Sequence, residues 1–292
     1  MVMDIKTIII IGVIVVACVL LFVYFFQEKF IFLPEKLAKN FKFQYKNQDV
    51  EEYNIEIKEG VVINGLHFKT KEPKGVIFYL KGNSRSIKGW GKFAVDFTSQ
   101  GWDVIMIDYR GFGKSTGKRS QKAMHADVQR VYDEIKKNVD EKYIILYGRS
   151  LGSGFATKLA SVNNPRMLIL TCPYYSILKN IQRYIPLKTL KFVVKYSMST
   201  YKWLKYVNCP IKIIHGTKDK MVPYKNSLKL AEIKPKITRL YSIIGGGHKN
   251  IHNFESYHRA LKEILNSKLP EEIDREHTSI AFNRSKRKKK TQ

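Results

Sequence analysis

Residues 148–152 read Gly-Arg-Ser-Leu-Gly and match the pattern G-x-S-x-G. Where a strand turns sharply into a helix, this pattern lifts the serine hydroxyl clear of the backbone, and the two glycines leave room for the turn. An apolar run precedes the motif and a segment of helical periodicity follows it, so its flanks favour such a turn over an ordinary loop. We therefore predict that Ser150 is a nucleophile and that Gly148 and Gly152 permit the turn. The Leu151 amide, at the helix N-terminus, would face a developing oxyanion.

A serine hydroxyl is a weak nucleophile at neutral pH, so it needs a general base, and the base needs an orienting acid. With this kind of turn, the expected chain order is serine, acid, histidine. Asp219 comes shortly after the apolar run 211–215, and His248 comes after the three glycines that follow the last run. Taken singly, Asp219 could be a turn residue and His248 a surface histidine. Their order at successive strand ends favours a triad with Ser150.

A tetrahedral intermediate needs a second hydrogen-bond donor, which such a site takes from the loop after the third strand. That loop is predicted at residues 81–84. The Asn83 amide is the candidate donor, because Gly82 before it allows a close approach of the backbone.

Two other kinds of site are not indicated. Residues 111–115 contain Gly-Lys-Ser, but a phosphate-binding loop would need a glycine where Asp108 stands. The three cysteines lie too far apart to suggest a metal site or a disulfide framework: Cys18, Cys172 and Cys209. The triad chemistry needs no metal and no organic cofactor.

Short apolar runs typical of buried strands alternate with segments of helical periodicity, which predicts a mostly parallel sheet covered on both faces. The predicted strands are 53–58, 61–69, 76–80, 104–109, 143–147, 167–171, 211–215 and 239–244. The predicted helices are 87–99, 121–137, 151–162, 225–232 and 251–265. Residues 173–207 break this rhythm and are too long for a simple loop, so we expect a helical insertion that caps one end of the sheet.

Residues 8–26 contain no charged side chain and are long enough to cross a bilayer as a helix. The run ends in bulky aromatic residues rather than in a small-residue cleavage site, which favours a retained anchor. A lipidated Cys18 is the alternative, since residues 15–18 resemble a lipoprotein signal. Lysines follow the run more densely than they precede it, which favours a cytoplasmic C-terminal domain.

The chain has 52 Lys and Arg against 25 Asp and Glu, a formal charge of +27. Such a field attracts polyanions, including anionic lipid headgroups and nucleic acids. No nucleic-acid-binding motif of the usual kinds is present, so specific nucleic-acid binding is not expected. The polar segment 268–292 ends in a run of basic residues, and we expect a disordered tail that reinforces contact with anionic lipid.

Together these motifs resemble the α/β-hydrolases, and most closely the membrane-anchored Bem46-like branch with its ABHD-type depalmitoylases and lipases. The residues that carry the resemblance are 80–83, 108–115, 148–152, 215–219 and 247–248, and it spans about residues 30–265. It implies an α/β-hydrolase fold with an eight-stranded, mostly parallel sheet, helices on both faces and a short cap. The expected parts are an anchor at 1–29, a hydrolase domain at 30–267 with its cap at about 173–207, and the tail at 268–292.

The resemblance implies that Ser150, Asp219 and His248 form the triad and that Asn83 and Leu151 supply the oxyanion hole. The chain departs from the family at Lys81, where a structural histidine is usual. A buried ammonium there would need a partner, whereas an exposed one could attract an anionic substrate.

The role of Arg149, inside the motif, is left open between facing the pocket and pairing with an acid. Four further histidines show no partner pattern and are interpreted as surface or packing residues: His67, His125, His252 and His258.

The expected activity is hydrolysis of an ester or thioester through an acyl-serine intermediate, on lipids or acylated substrates at a membrane. The same triad could serve a peptidase or amidase. The fold could also act as a non-catalytic membrane scaffold, although intact Ser150, Asp219 and His248 argue against that interpretation.

Overall fold

The computed structural model describes residues 3–267. Its strands are β1 Asp49–Lys58, β2 Val61–Lys69, β3 Val76–Leu80, β4 Asp103–Ile107, β5 Ile144–Arg149, β6 Met167–Thr171, β7 Ile211–Gly216 and β8 Thr238–Ile243. Its helices are α1 Ile5–Ile31, α2 Ile87–Trp90, α3 Val95–Thr98, α4 Gln121–Lys136, α5 Leu151–Ala160, α6 Ile177–Gln182, α7 Leu190–Val193, α8 Thr200–Leu204, α9 Lys225–Ala231 and α10 Glu255–Leu265. The basic tail predicted at 268–292 lies outside the described residues.

The strands form one sheet in the order β1-β2-β4-β3-β5-β6-β7-β8. Only the pairings that involve β2 are antiparallel, and β3 to β8 run parallel. Strand β3 is buried along its whole length, and its alternate residues belong to different cores: Phe78 packs on one face and Tyr79 on the other. The predicted eight-stranded, mostly parallel sheet with helices on both faces is confirmed.

The single helix predicted at 87–99 is wrong. The segment is broken into α2, a 3₁₀ turn at Gly91–Ala94, and α3. Glycines at positions 89 and 91 weaken a continuous helix. The Tyr45 hydroxyl also donates to the Ile87 carbonyl (2.9 Å) and the Lys88 carbonyl (3.2 Å), and a side chain on Gly91 would overlap the Tyr45 ring. A similar 3₁₀ turn, Ile251–Asn253, precedes α10 where one helix was predicted.

The insertion predicted at 173–207 lies between β6 and β7 and contains the short helices α6, α7 and α8. Pro186 falls between α6 and α7, where a continuous helix would lose a backbone hydrogen bond. We call this insertion the cap.

Helix α1 has 27 residues, contains an apolar window of mean hydropathy 3.3, and is long and apolar enough to cross a membrane. The Asp4 side chain accepts from the Thr7 amide and caps its first turn. Most of its apolar side chains are exposed. Only its last turns pack on the rest of the protein, around Val23, Gln27 and Ile31. The helix could therefore serve as the anchor that the sequence predicts.

Candidate active site

Ser150 lies at the sharp turn between the end of β5 and the start of α5. Its backbone has φ 52° and ψ −117°, a conformation that few non-glycine residues adopt. The turn is packed so tightly that glycine is required at its two flanking positions. A side chain on Gly148 would overlap α5, and one on Gly152 would overlap the Leu80 carbonyl at the end of β3. The predicted strand-to-helix turn is therefore present.

The three predicted triad residues meet at the carboxyl edge of the sheet. The Ser150 Oγ lies 2.9 Å from the Nε2 of His248. The Nδ1 of His248 lies 2.7 Å from the Oδ2 of Asp219. Since Asp219 is an acceptor, the Nδ1 carries the proton and the Nε2 is free to accept from the serine hydroxyl. This geometry is that of a nucleophile, its base and an orienting acid.

The Asp219 carboxylate also accepts hydrogen bonds from groups other than His248. Its Oδ1 accepts from the Met221 amide (2.9 Å) and the Val222 amide (2.8 Å). Its Oδ2 also lies 3.1 Å from the Nε2 of His215. Burial alone would raise the pKa of Asp219, but the hydrogen bonds from His215, His248 and Val222 outweigh it and hold the pKa well below its usual range. The acid is therefore ionised at neutral pH.

The contact of His215 with the acid was not predicted. Its ring is fully buried, and its Nδ1 lies 2.6 Å from the Ser227 Oγ in α9. The signal available in the sequence was a histidine at the end of the strand predicted at 211–215, four positions before the acid.

The two candidate oxyanion donors line the same cavity as Ser150. Leu151 is the first residue of α5, so its amide has no acceptor within the helix. The Asn83 side chain donates to the Ile31 carbonyl at the end of α1 (2.9 Å), and its own carbonyl accepts from the Leu33 amide (2.9 Å). Within residues 3–267 the Asn83 amide donates no hydrogen bond. The oxyanion role of both amides stays a prediction.

Lys81 is fully buried, which settles the alternative that its substitution for histidine left open. Its Nζ lies 3.4 Å from the Asp108 Oδ1, donates to the Arg85 carbonyl (3.2 Å) and sits 4.0 Å above the Phe112 ring centre. Asp108 in turn accepts from the Ile87 amide (3.0 Å). Burial lowers the pKa of Lys81 to about 8 and raises that of Asp108 to about 6, so both are charged at neutral pH. The pair braces the loop that carries Asn83.

Two cavities meet at Ser150. One of about 240 Å³ is mainly apolar, and lies between the end of α1 and α6, lined by Ile31, Ile177 and Ile181 among others. The other, of about 460 Å³, shares Ser150 with the first and is lined largely by basic and aromatic residues. It includes Arg149 and His252, so the alternative in which Arg149 faces the pocket is the one that the structure shows. The site can therefore hold a substrate with two chemically different halves.

Among the described residues, one group of side chains could hold a metal: Cys172, His215 and Asp219, whose ligand atoms lie within 4.8 Å of one another. Burial raises the pKa of the Cys172 thiol to about 12, so it is protonated at neutral pH and a poor ligand. The Asp219 oxygens are already hydrogen-bonded. These residues fit the support of His248 better than a metal site.

Two of the histidines interpreted as unpartnered do have acidic partners. The His67 Nε2 lies 2.8 Å from the Asp103 Oδ2, across the β2–β4 pairing. The His258 Nδ1 lies 3.9 Å from the Asp96 Oδ1. Both pairs join residues more than 30 positions apart or on different elements, so no local sequence pattern could show them.

Comparisons with known proteins point to the same fold. The family model described as "Serine aminopeptidase, S33" matches residues 71–190, less than half of the chain. The lysophosphatidylserine lipase ABHD12 of Macaca fascicularis is 30% identical over 226 residues, which are 67% of this chain and 57% of that protein. The α/β-hydrolase domain-containing protein 17C of Xenopus tropicalis is 28% identical over 170 residues, 58% of this chain and 54% of that protein. The chain thus spans a little over half the length of these relatives.

Solved structures agree on the architecture. The Pyrococcus furiosus esterase Pf2001 superposes with a TM-score of 0.63 at 18% identity, covering 80% of this chain and 98% of that one. An α/β-hydrolase from Vibrio vulnificus superposes with a TM-score of 0.60 at 20% identity, covering 74% of this chain and 79% of that one. Given the sheet order, the serine turn between β5 and α5 and these relatives, the chain belongs to the α/β-hydrolases of the ABHD type.

Proposed function

We propose that this protein is a membrane-anchored serine hydrolase that cleaves an ester or thioester of a long acyl chain. The observation that carries the proposal is the continuous hydrogen-bonded chain Ser150–His248–Asp219 beside an apolar cavity. In the first step His248 takes the Ser150 proton as the oxygen attacks the carbonyl carbon. The Asn83 and Leu151 amides stabilise the oxyanion, and Asp219 stabilises the charged imidazole.

The tetrahedral intermediate collapses when His248 returns the proton to the leaving alcohol or thiol. An acyl-Ser150 ester remains. His248 then removes a proton from a water molecule, which attacks the acyl carbonyl and releases the carboxylic acid with Ser150 restored. Every proton moves through the His248 Nε2, the nitrogen that faces the serine.

The apolar cavity supports an acyl substrate, since the residues beside Ser150 include Ile177 and Ile181 of α6. The lipase activity in the name of the ABHD12 relative supports a lipid ester. The aminopeptidase description of the matching family model supports the alternative, a peptidase or amidase that uses the same triad. Neither alternative requires a cofactor.

Incubation of the full-length protein in vesicles with a matched ester, thioester and amide of one long acyl chain tests this proposal. We expect turnover of the ester and the thioester, at least about 100-fold faster than that of the amide, because the triad must protonate a much poorer leaving group in the amide. Comparable turnover of the amide would favour the peptidase. Turnover of none of the three by folded protein would contradict a hydrolase and favour a scaffold.

We also propose that the cap lies at the membrane surface. The Gln27 side chain donates to the Val193 carbonyl (3.0 Å) and accepts from the Lys195 amide (2.7 Å). The Tyr196 hydroxyl donates to Glu28 (2.7 Å). Because Gln27 directly follows the uncharged stretch of α1, a membrane-spanning α1 holds these cap residues at the lipid headgroups. The lysines that follow α1 favour the cytoplasmic face.

Phe192, 77% exposed and next to Val193, should then contact lipid. We expect a fluorophore on Phe192→Cys, in a Cys18→Ser background, to be quenched by spin-labelled lipids in vesicles. The control is Val162→Cys, an exposed position just beyond the end of α5, about 18 Å along the helix direction from Ser150. Equal quenching at both positions, or none at Phe192, would contradict this placement of the cap.

A further inference from the structure

Arg149, the residue before the nucleophile, is a buried cation without a carboxylate partner. Its side chain lines the larger cavity, and the residue is only 5% exposed. Among residues 3–267, no carboxylate oxygen lies within 4.0 Å of a guanidinium nitrogen of Arg149, the distance that defines an ion pair. Burial raises the pKa of Asp96, an effect that the charge of Arg149 only partly offsets, but the ion-pair partner of Asp96 is His258. The guanidinium is always protonated, so the charge persists.

The contacts that hold Arg149 are favourable but do not neutralise it. The guanidinium carbon lies 4.9 Å from the Phe93 ring centre and 5.4 Å from that of Trp90. Its Nη2 makes two long contacts, 3.4 Å to the His248 carbonyl and 3.5 Å to the His252 Nδ1. Distances of 2.7–3.2 Å are usual for a hydrogen bond. A buried charge is costly when it is not paired, so this guanidinium can still gain an anionic partner.

The surroundings of Arg149 favour an anion from outside the protein. The cavity also includes three exposed cations, Arg85, Lys92 and Lys249, and no acidic residue lines it within the described part of the chain. A pocket lined by charges of one sign concentrates ligands of the opposite sign. The apolar cavity, which also includes Ser150, is lined by no charged residue within the described part of the chain.

We propose that the larger cavity is an anion-binding subsite, in which Arg149 binds a phosphate or carboxylate on the leaving-group half of the substrate. The acyl chain then occupies the apolar cavity, and the scissile carbonyl lies between them at Ser150. Arg149 is the main binding residue because its planar guanidinium matches both anions in a bidentate manner. Arg85, Lys92 and Lys249 attract the same group at the rim. The assignment of the two halves rests on the proposed hydrolase activity, whereas anion binding does not.

Binding of single-chain amphiphiles that cannot be hydrolysed tests the subsite without any turnover. Full-length protein in neutral detergent is titrated with an alkyl phosphate, an alkyl carboxylate and an alkanol of one chain length. We expect one or both anions to bind at least about tenfold more tightly than the alkanol, and the phosphate and carboxylate arms distinguish the two sources of charge. Arg149→Met should remove this preference while leaving alkanol binding unchanged. An alkanol that binds as tightly as both anions would overturn the proposal.

The exposed rim keeps the test decisive if Arg149→Met does not fold. Lys92→Gln combined with Lys249→Gln should weaken anion binding about threefold or more and leave alkanol binding unchanged. Lys188→Gln combined with Lys191→Gln removes the same number of charges from two exposed positions of the cap. It is the matched control and should change neither. Equal effects of the rim and cap substitutions would mean a general surface charge effect and would also overturn the subsite.

Turnover supplies the second readout. With a neutral acyl ester and the same ester carrying a phosphate on its alcohol, the rim variant should raise KM for the phosphate ester only. If the protein hydrolyses both esters without preference, the subsite fails and the hydrolase stands. If it hydrolyses neither but binds the anions through Arg149, the hydrolase fails and the subsite stands.

Discussion

Ser150→Ala should reduce kcat for acyl-ester hydrolysis by about a million-fold and abolish labelling by a fluorophosphonate probe. The Ser150 Oγ lies 2.9 Å from the His248 Nε2, so alanine removes the atom that we propose as the nucleophile. Alanine keeps a Cβ in the same backbone conformation, and we expect the thermal midpoint to change little. The measurement is labelling and turnover of both proteins in the same vesicles. Equal labelling of wild type and variant would place the nucleophile elsewhere.

The control for this prediction lies at the other end of α5. Ser161→Ala replaces a serine at the far end of α5 and should leave both labelling and kcat unchanged. Since the triad acts as a unit, Ser150→Ala combined with His248→Ala should be no slower than Ser150→Ala alone. Asp219→Asn keeps the residue size but loses the carboxylate that orients the imidazole, and should lower kcat by about 10⁴. Additive losses would contradict a shared mechanism.

Asp108→Asn should destabilise the protein by about 3–5 kcal/mol, because it leaves the fully buried Lys81 ammonium without an anionic partner. The measurement is thermal unfolding in detergent, where we expect the midpoint to fall by about 10 °C or more. Ester turnover should fall as well, since Lys81 and its carbonyl contacts brace the loop that carries Asn83. A midpoint close to that of the wild type would contradict a charged, structurally required pair.

A double-mutant cycle measures the interaction free energy between Lys81 and Asp108 apart from the individual effect of each residue. Lys81→Met should also be costly, since it strands the Asp108 carboxylate. Lys81→Met combined with Asp108→Asn should cost less than the sum, with a coupling of roughly 1–3 kcal/mol. The matched control is Lys88→Met, in α2 just after that loop, whose ammonium is half exposed and 3.5 Å from Glu35. An exposed pair contributes about 0–1 kcal/mol, so this control should be nearly neutral.

The order and spacing of local patterns determined most of the fold. Fully apolar runs predicted the parallel strands, because a strand buried on both faces has no polar side to expose. The glycines at 148 and 152 predicted a turn without room for side chains. In the structure a side chain at either position would overlap neighbouring backbone. The triad followed from one topological rule. The carboxyl ends of parallel strands meet at one edge of the sheet, so Ser150, Asp219 and His248 converge although they are far apart in the chain.

The local sequence of 87–99 did not predict the break in that helix, because the break depends on a distant residue. The Tyr45 hydroxyl donates hydrogen bonds to the carbonyls of Ile87 and Lys88, and nothing in the local sequence predicts that contact. The cap shows the same limit. Its insertion between strands could be predicted from length and rhythm, but the positions of its short helices depend on packing.

Only the tertiary structure decided which charges are buried and what they face. Lys81 is paired with Asp108 and Arg149 faces a cavity, yet each is one basic residue next to a glycine or a serine in the sequence. His215 supports the acid through a contact that depends on the turn after β7. The bond from Gln27 to the Val193 carbonyl joins residues 166 positions apart. Local patterns determine elements because hydrophobic periodicity and turn chemistry act over a few residues. The environment of a charge depends on whichever distant segments pack around it.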